Sequence, residues 1–214
     1  MCKTFETSIA TFVFSFTCVA LSLLKRKTKE VYFASMFILT ISLMQLLDAG
    51  IWWSIKHKNK LLNNFVSQYA VPFILASELL VSYFGIKYIF GWSNRYFEYG
   101  LFIFASFILL SWIFSYCNDK NAYTIPCTDG YLHWCGVELN MLFRVLFILF
   151  LLTPIVIGLP SKYDVIKYLI TLPILVTFVM NYMNVTFGAR WCWSSNIVSG
   201  MLLAYSIMYY TDQK

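Results

Sequence analysis

Charged residues are scarce in this sequence. Only 12% of its 214 residues are charged, whereas 60% are hydrophobic and 20% are aromatic. The apolar residues of such a chain cannot all be placed in one soluble core and still be covered by charge. The shortage of charge therefore excludes an ordinary soluble domain and indicates an integral membrane protein.

Motifs for catalysis or cofactor binding are absent from the sequence. It contains no HExxH, GxSxG, P-loop or glycine-rich dinucleotide fingerprint. The last apolar run, 191–210, has no lysine for a retinal Schiff base. The spacing of Cys127, His133 and Cys135 matches no zinc pattern. We expect no cofactor and no metal, and an enzyme is not the favoured class.

Seven apolar runs account for most of the chain, and each is near the ~20 residues that a helix needs to cross a bilayer. They do not alternate every second residue, as the strands of a membrane barrel do. The sequence therefore predicts a single all-α domain, a polytopic transmembrane bundle with a long outer loop at 117–136. The predicted spans are 9–24, 31–53, 65–86, 99–116, 137–157, 165–182 and 191–210.

Basic residues lie in short clusters between these runs, a pattern typical of membrane topology rather than of nucleic-acid binding. Nine basic residues flank the spans on one side and six on the other. Because the more basic side is normally cytosolic, we expect an outer amino terminus and a cytosolic carboxyl terminus. The expected partner is the lipid bilayer, with no nucleic acid.

Four cysteines fall on the predicted outer side, where disulfides are chemically allowed. They permit three full pairings, among which the sequence does not choose. The alternative is that they are free thiols, since unpaired cysteine also suits apolar surroundings. The disulfide candidates are Cys117, Cys127, Cys135 and Cys192.

Polar side chains inside the predicted spans are the strongest functional signal. Asp48 lies within 31–53, and an ionisable group at the centre of a membrane helix costs roughly 2.5–3.5 kcal/mol on insertion scales. Gln45 lies about one turn deeper on nearly the same face. Glu78 is deeper still and is expected to be neutral, because burial disfavours a carboxylate.

Most of these groups share a depth in the outer half of the predicted bundle. We expect them to line a water-accessible outward cavity, in which Arg144 pairs with Asp48 or Glu138. The candidate binding residues, together with the deeper Glu78, are Gln45, Asp48, Gln68, Glu78, Glu138, Arg144 and Asn196.

Three functions stay open at this point. The first is transport or channelling of a small solute or ion through the polar cavity. The second is a non-catalytic structural component, in which the polar groups only join helices at roughly 0.6 kcal/mol each. The third is a receptor-like or lipid-modifying protein, although the DRY and NPxxY motifs of G-protein-coupled receptors are missing and the likeness to them is architectural.

Two short motifs, MQLLDAGIWW at 44–53 and ARWCWSSN at 189–196, carry a resemblance. The chain resembles uncharacterised multi-pass membrane proteins of giant DNA viruses and their protist hosts. Those proteins have a Met-Gln pair followed by an acid and a tryptophan in an early helix, and the abundance of Asn, Lys, Ile, Phe and Tyr suits an AT-rich genome. The resemblance implies a viral or host membrane location and brings no known activity.

Overall fold

The structure, a computed structural model, describes residues 3–118, 124–126, 130–133, 141–181 and 192–211, without the side chains of 111–118, 133, 192–193 and 210–211. Helices contain nearly all of the described residues. They are α1 Phe5–Lys25, α2 Lys29–Lys56, α3 Lys60–Phe65, α4 Val71–Phe90, α5 Arg95–Asn118, α6 Met141–Gly158, α7 Asp164–Asn181 and α8 Cys192–Thr211. A π turn, Val66–Ala70, joins α3 to α4 without a break, and a 3-10 turn, Ser161–Tyr163, precedes α7.

The all-α class predicted from the sequence is confirmed, and each of the seven apolar runs contains one long helix. Among the described residues, five of these helices are long and apolar enough to cross a membrane. They are Phe5–Lys25, Lys29–Lys56, Lys60–Phe90, Met141–Gly158 and Ser161–Asn181. The third begins at Lys60, five residues before the predicted run, because Asn59 caps it by accepting a hydrogen bond from the Leu62 amide (3.0 Å).

The π turn lies where Pro72 follows in the sequence. Proline lacks an N–H and disturbs the regular helical ladder about one turn before itself. The Val71 amide donates to the Val66 carbonyl, five residues earlier, and the helix then continues through Pro72. The irregularity expected from this proline is therefore a local widening of the helix.

Two elements of the predicted outer loop 117–136 are visible. Ile125–Pro126 (β1) and Leu132–His133 (β2) form a small antiparallel ladder, which the sequence did not predict. Thr124 fastens the ladder to α3 and the π turn: its amide donates to Asn63 Oδ1 (2.9 Å) and its hydroxyl lies 2.6 Å from Ser67 Oγ. We call this end of the bundle the hairpin end.

The opposite end is closed by aromatic and ionic contacts around the turn 91–94. Gly91 adopts φ 81°, a left-handed conformation that ends α4 and favours glycine. Glu98 Oε2 accepts hydrogen bonds from Lys87 Nζ (2.7 Å) and from the Tyr83 hydroxyl (2.9 Å). Lys87, followed by Tyr83, holds the pKa of the Glu98 carboxyl below its ordinary value. This network ties α4 to the start of α5.

Helix α1 packs against α2 and α8 through small residues. Its fully buried face consists of Ser8, Ser15, Cys18, Val19 and Ser22. Buried serines also line α2 at Ser35 and Ser42, and α8 at Ser195, Ser199 and Ser206, frequently at a seven-residue spacing that keeps them on one face. Small side chains let helix backbones approach closely, which is a common way for helices to associate in membranes.

The bundle exposes many large apolar side chains and buries several polar ones within a mainly apolar core. Large apolar side chains such as Leu24 (73%) and Ile103 (71%) are exposed, whereas Gln45, Asp48 and Glu78 are fully buried. In water this arrangement would expose an extensive apolar surface, which soluble monomers avoid. It suits a protein whose surroundings are hydrocarbon.

Candidate functional site

A buried polar layer joins three helices near the hairpin end. Gln45 Nε2 of α2 donates to Ser195 Oγ (2.6 Å) and to Asn196 Oδ1 (3.2 Å), both on α8. The hydroxyl of Ser15, on α1, also donates to Asn196 Oδ1 (2.8 Å). Asn196 therefore accepts hydrogen bonds from two other helices and is the centre of the layer.

Ser15 donates its hydroxyl hydrogen bond to another helix, unlike most of the other buried serines. Ser22, Ser42, Ser199 and Ser206 each donate to the carbonyl four residues earlier on their own helix. Such local bonds add nothing between helices. The layer of Ser15, Gln45, Ser195 and Asn196 thus brings together two of the predicted site residues, Gln45 and Asn196, from segments about 150 residues apart.

Asp48 lies at the edge of this layer, three residues after Gln45 on α2, and is fully buried. Gln68 lies in the π turn and is also buried. Helices α2 and α4 are antiparallel, and a Cβ built at Gly50 would lie 3.8 Å from Val66 Cγ2. Moving two residues inward from this contact on each helix places Asp48 and Gln68 at about the same depth.

The π turn is an irregular element at about the depth of Asp48. Single π turns inside α-helices are frequently found at functional sites. Here the turn carries Gln68, a residue that the sequence had already selected. Pro72 was the available signal, because a proline inside a helix favours a kink, but it does not predict a π turn.

Glu78 lies deeper in the bundle than the layer and apart from it. Its side chain is fully buried on α4, and neither carboxyl oxygen has a hydrogen-bond partner within the part of the chain that the structure describes. The deeper position predicted from the sequence agrees with its place between the hairpin end and the turn 91–94.

Arg144 lies in the first turn of α6 and is partly exposed. Glu138, one of its two predicted partners, is outside the described residues, and pairing of Arg144 with Glu138 or with Asp48 stays a prediction. The predicted disulfides also fall outside this part of the chain: Cys127 and Cys135 lie outside the described residues, as do the side chains of Cys117 and Cys192. Cys18, in contrast, is a buried free thiol.

The predicted outward cavity is not open to Gln45 or Asp48 in this conformation, since both are 0% exposed. A cavity of about 530 Å³ lies instead between α7 and α8, with a mostly apolar lining that includes Pro173, Val176, Met180 and Met201. None of the predicted site residues that the structure describes lines it. Access of water or solute to Asp48 therefore requires a movement of the helices.

Two features of the site were missed by reasoning from sequence. The first is Ser15, which looked like one more small residue in an apolar run; the seven-residue spacing of Ser8, Ser15 and Ser22 indicates a shared helix face but not which serine bonds another helix. The second is the Asn63–Thr124 contact that holds the outer loop. No local pattern links those two residues, because 61 positions separate them.

Replacing Asn196 by leucine is expected to lower the free energy of unfolding by about 1–3 kcal/mol, since measured values average about 0.6 and reach about 1.7 for each hydrogen bond between membrane helices. The change removes the common acceptor of Ser15 and Gln45 at nearly constant volume. Ser199→Ala is the matched control, because it deletes a bond within α8 only. Thermal unfolding in detergent measures both, and equal midpoints would show that the layer does not join the helices.

Comparison with known protein families, with curated proteins and with solved structures finds no match to this chain.

Proposed function

We propose that this chain is a multi-pass membrane protein with seven spans, an outer amino terminus and a cytosolic carboxyl terminus. Five of the seven long helices have the length and hydropathy of membrane spans. The other two, α5 and α8, have 24 and 20 residues, which is also enough to cross the hydrocarbon. The apolar outer surface supports the same proposal, with the hairpin end facing outward.

Within this architecture we propose that the protein binds and moves a small solute or ion. The observation that carries the proposal is Asp48, an ionisable side chain that is fully buried on a membrane-length helix beside a layer of amide and hydroxyl groups. Ionisable residues inside membrane helices usually mark solute or ion pathways, because their burial is costly without a functional return.

The neighbouring π turn supports this assignment of Asp48. In transporters, solutes and coupling ions bind where a spanning helix is irregular, because backbone carbonyls are then free to act as ligands. The turn Val66–Ala70 is such an irregularity, and it lies at the depth of Asp48. Asp48, Gln45 and Asn196 would contact the solute, and movement of α1 or α8 would open the layer.

A screen of purified protein in detergent tests the proposal. Sodium, potassium, magnesium, amino acids and monosaccharides are added singly while thermal unfolding is followed. A ligand present at 100 times its Kd should stabilise the fold by about 2.7 kcal/mol. Ligands that stabilise the protein are then tested for saturable uptake into vesicles containing it. Absence of both effects across the panel would overturn the proposal.

A structural role is the second candidate, and the hydrogen bonds of the layer favour it. Gln45, Ser195, Asn196 and Ser15 bond one another directly, so they join helices without any ligand. A structural component of a viral or host membrane would need nothing more. This candidate predicts that Asn196→Leu lowers stability and that no compound in the panel raises it.

A further inference from the structure

Glu78 is the most unusual polar group of the described residues. It is 0% exposed, and both of its carboxyl oxygens are buried without a hydrogen-bond partner. The ion pairs found in the described residues join Arg26 to Glu30, Lys87 to Glu98 and Lys167 to Asp164, and none includes Glu78. No group of the described residues therefore compensates a charge at this position.

Contacts made by the same face of α4 show what surrounds Glu78. One turn along, Ser82 Oγ donates to the Leu151 carbonyl of α6 (2.5 Å). Two turns along, a Cβ at Gly85 would lie 2.8 Å from the Phe33 ring of α2. Because positions 78, 82 and 85 share a helix face, Glu78 lies towards the space between α2 and α6.

The helices packed against α4 are almost free of ionisable groups at this depth. Counting from the contacts above, Glu78 is level with about residue 39 of α2 and residue 147 of α6. From the Lys87–Glu98 bond, it is level with about residue 107 of α5. Within one turn of these positions the sequence of α2 and α5 contains no ionisable residue, and that of α6 contains only Arg144.

An isolated carboxylate in such surroundings is too costly to persist, and the ordinary response is to become neutral. A neutral carboxyl still leaves a donor and an acceptor unsatisfied, and each buried unsatisfied group is destabilising. An apolar residue of the same size would avoid that cost entirely. Retaining a carboxyl here is useful only if its proton can be exchanged.

We infer that Glu78 is a proton-binding site, which holds a proton in this closed conformation and releases it when α4 moves relative to α2 and α6 and water reaches the carboxyl. The inference rests on the proposed function and extends it: the co-substrate moved together with the solute is a proton. The π turn at the start of α4 and the glycine at position 85 place both an irregular turn and a close helix contact on the moving element.

Dicyclohexylcarbodiimide is the probe, because this apolar reagent adds to protonated carboxyl groups in apolar surroundings. The carboxyl proton passes to a nitrogen of the carbodiimide, the carboxyl oxygen bonds its central carbon, and an acyl shift leaves a stable N-acylurea that mass spectrometry assigns to a peptide. The full-length protein in vesicles is labelled over a range of pH. Glu30, which is buried but paired with Arg26, is the internal control.

We expect Glu78 to be labelled and Glu30 to remain unlabelled. Above the titration midpoint, labelling of Glu78 should fall roughly tenfold per pH unit, following the protonated fraction. In vesicles with an enclosed pH dye, wild-type protein should move protons with its solute, and Glu78→Gln should move the solute without them or not at all. Asp48→Asn should leave the labelling of Glu78 unchanged.

Two results would overturn the inference. Labelling of Glu78 that is absent at every pH would show that it carries no proton, and labelling that is constant across the pH range would show that its proton does not exchange. Either result leaves solute binding at Asp48 untouched. Conversely, pH-dependent labelling of Glu78 together with a failed ligand screen would remove the proposed solute while retaining the proton site.

Discussion

The Asp48→Asn variant is expected to fold and to lose solute binding. Asparagine has nearly the shape of aspartate and keeps an oxygen acceptor, so the packing of α2 between its neighbours should survive. The substitution removes the only feature that makes this position costly in a membrane, its ionisable carboxyl. For a ligand that stabilises the wild-type protein, we expect Asp48→Asn to bind with at most a tenth of the wild-type affinity. This corresponds to a loss of about 1.4 kcal/mol or more of binding free energy.

Asp164→Asn is the matched control for this prediction. This variant also replaces a carboxyl by an amide, but at an exposed side chain at the start of α7, where Asp164 pairs with Lys167 (2.9 Å). Exposed ion pairs contribute about 0–1 kcal/mol, so the control should bind ligand like the wild type and unfold at nearly the same temperature. The proposal for Asp48 fails if both variants retain full affinity and flux.

The Gly158→Ala variant is expected to lower the free energy of unfolding by about 1–3 kcal/mol, the range seen when an extra methyl is forced into a packed interior. A Cβ at this position would overlap Ile86 Cγ2 of α4 and would lie 3.0 Å from the Trp92 ring in the turn 91–94. The ring is itself fixed against Tyr83 and Phe97, so neither neighbour can yield easily. The end of α6 would have to move away from α4.

The Gly200→Ala variant, in contrast, is not expected to lower the stability of the protein. Its Cβ would lie 3.8 Å from the Phe14 ring, which is an ordinary contact, and it lies inside α8. Alanine is favoured over glycine inside a helix by about 0.8–1.0 kcal/mol, so this variant should be as stable as the wild type or slightly more stable. Thermal unfolding in detergent compares the two, and a Gly158→Ala midpoint at or above that of Gly200→Ala would contradict the close packing of α6 on α4.

The sequence by itself determined the helices. A helix satisfies its backbone within one segment, so continuous apolar runs near 20 residues long were sufficient to locate each of the seven long helices to within a few residues. The same local logic selected Gln45, Asp48, Glu78 and Asn196, because a polar residue inside an apolar run is conspicuous without knowledge of its neighbours. All four are buried, and two of them, Gln45 and Asn196, are joined by a hydrogen bond.

Only the tertiary structure decided which of these residues meet. The bond from Ser15 to Asn196 spans 181 positions, and nothing in the local sequence distinguishes Ser15 from the serines that bond their own helix. The separation of Glu78 from the polar layer, the π turn beside Gln68 and the tight contact at Gly158 likewise depend on how α4 lies against α2 and α6. Periodicity assigns residues to one face of a helix, but the neighbour of that face is chosen by packing between segments distant in sequence.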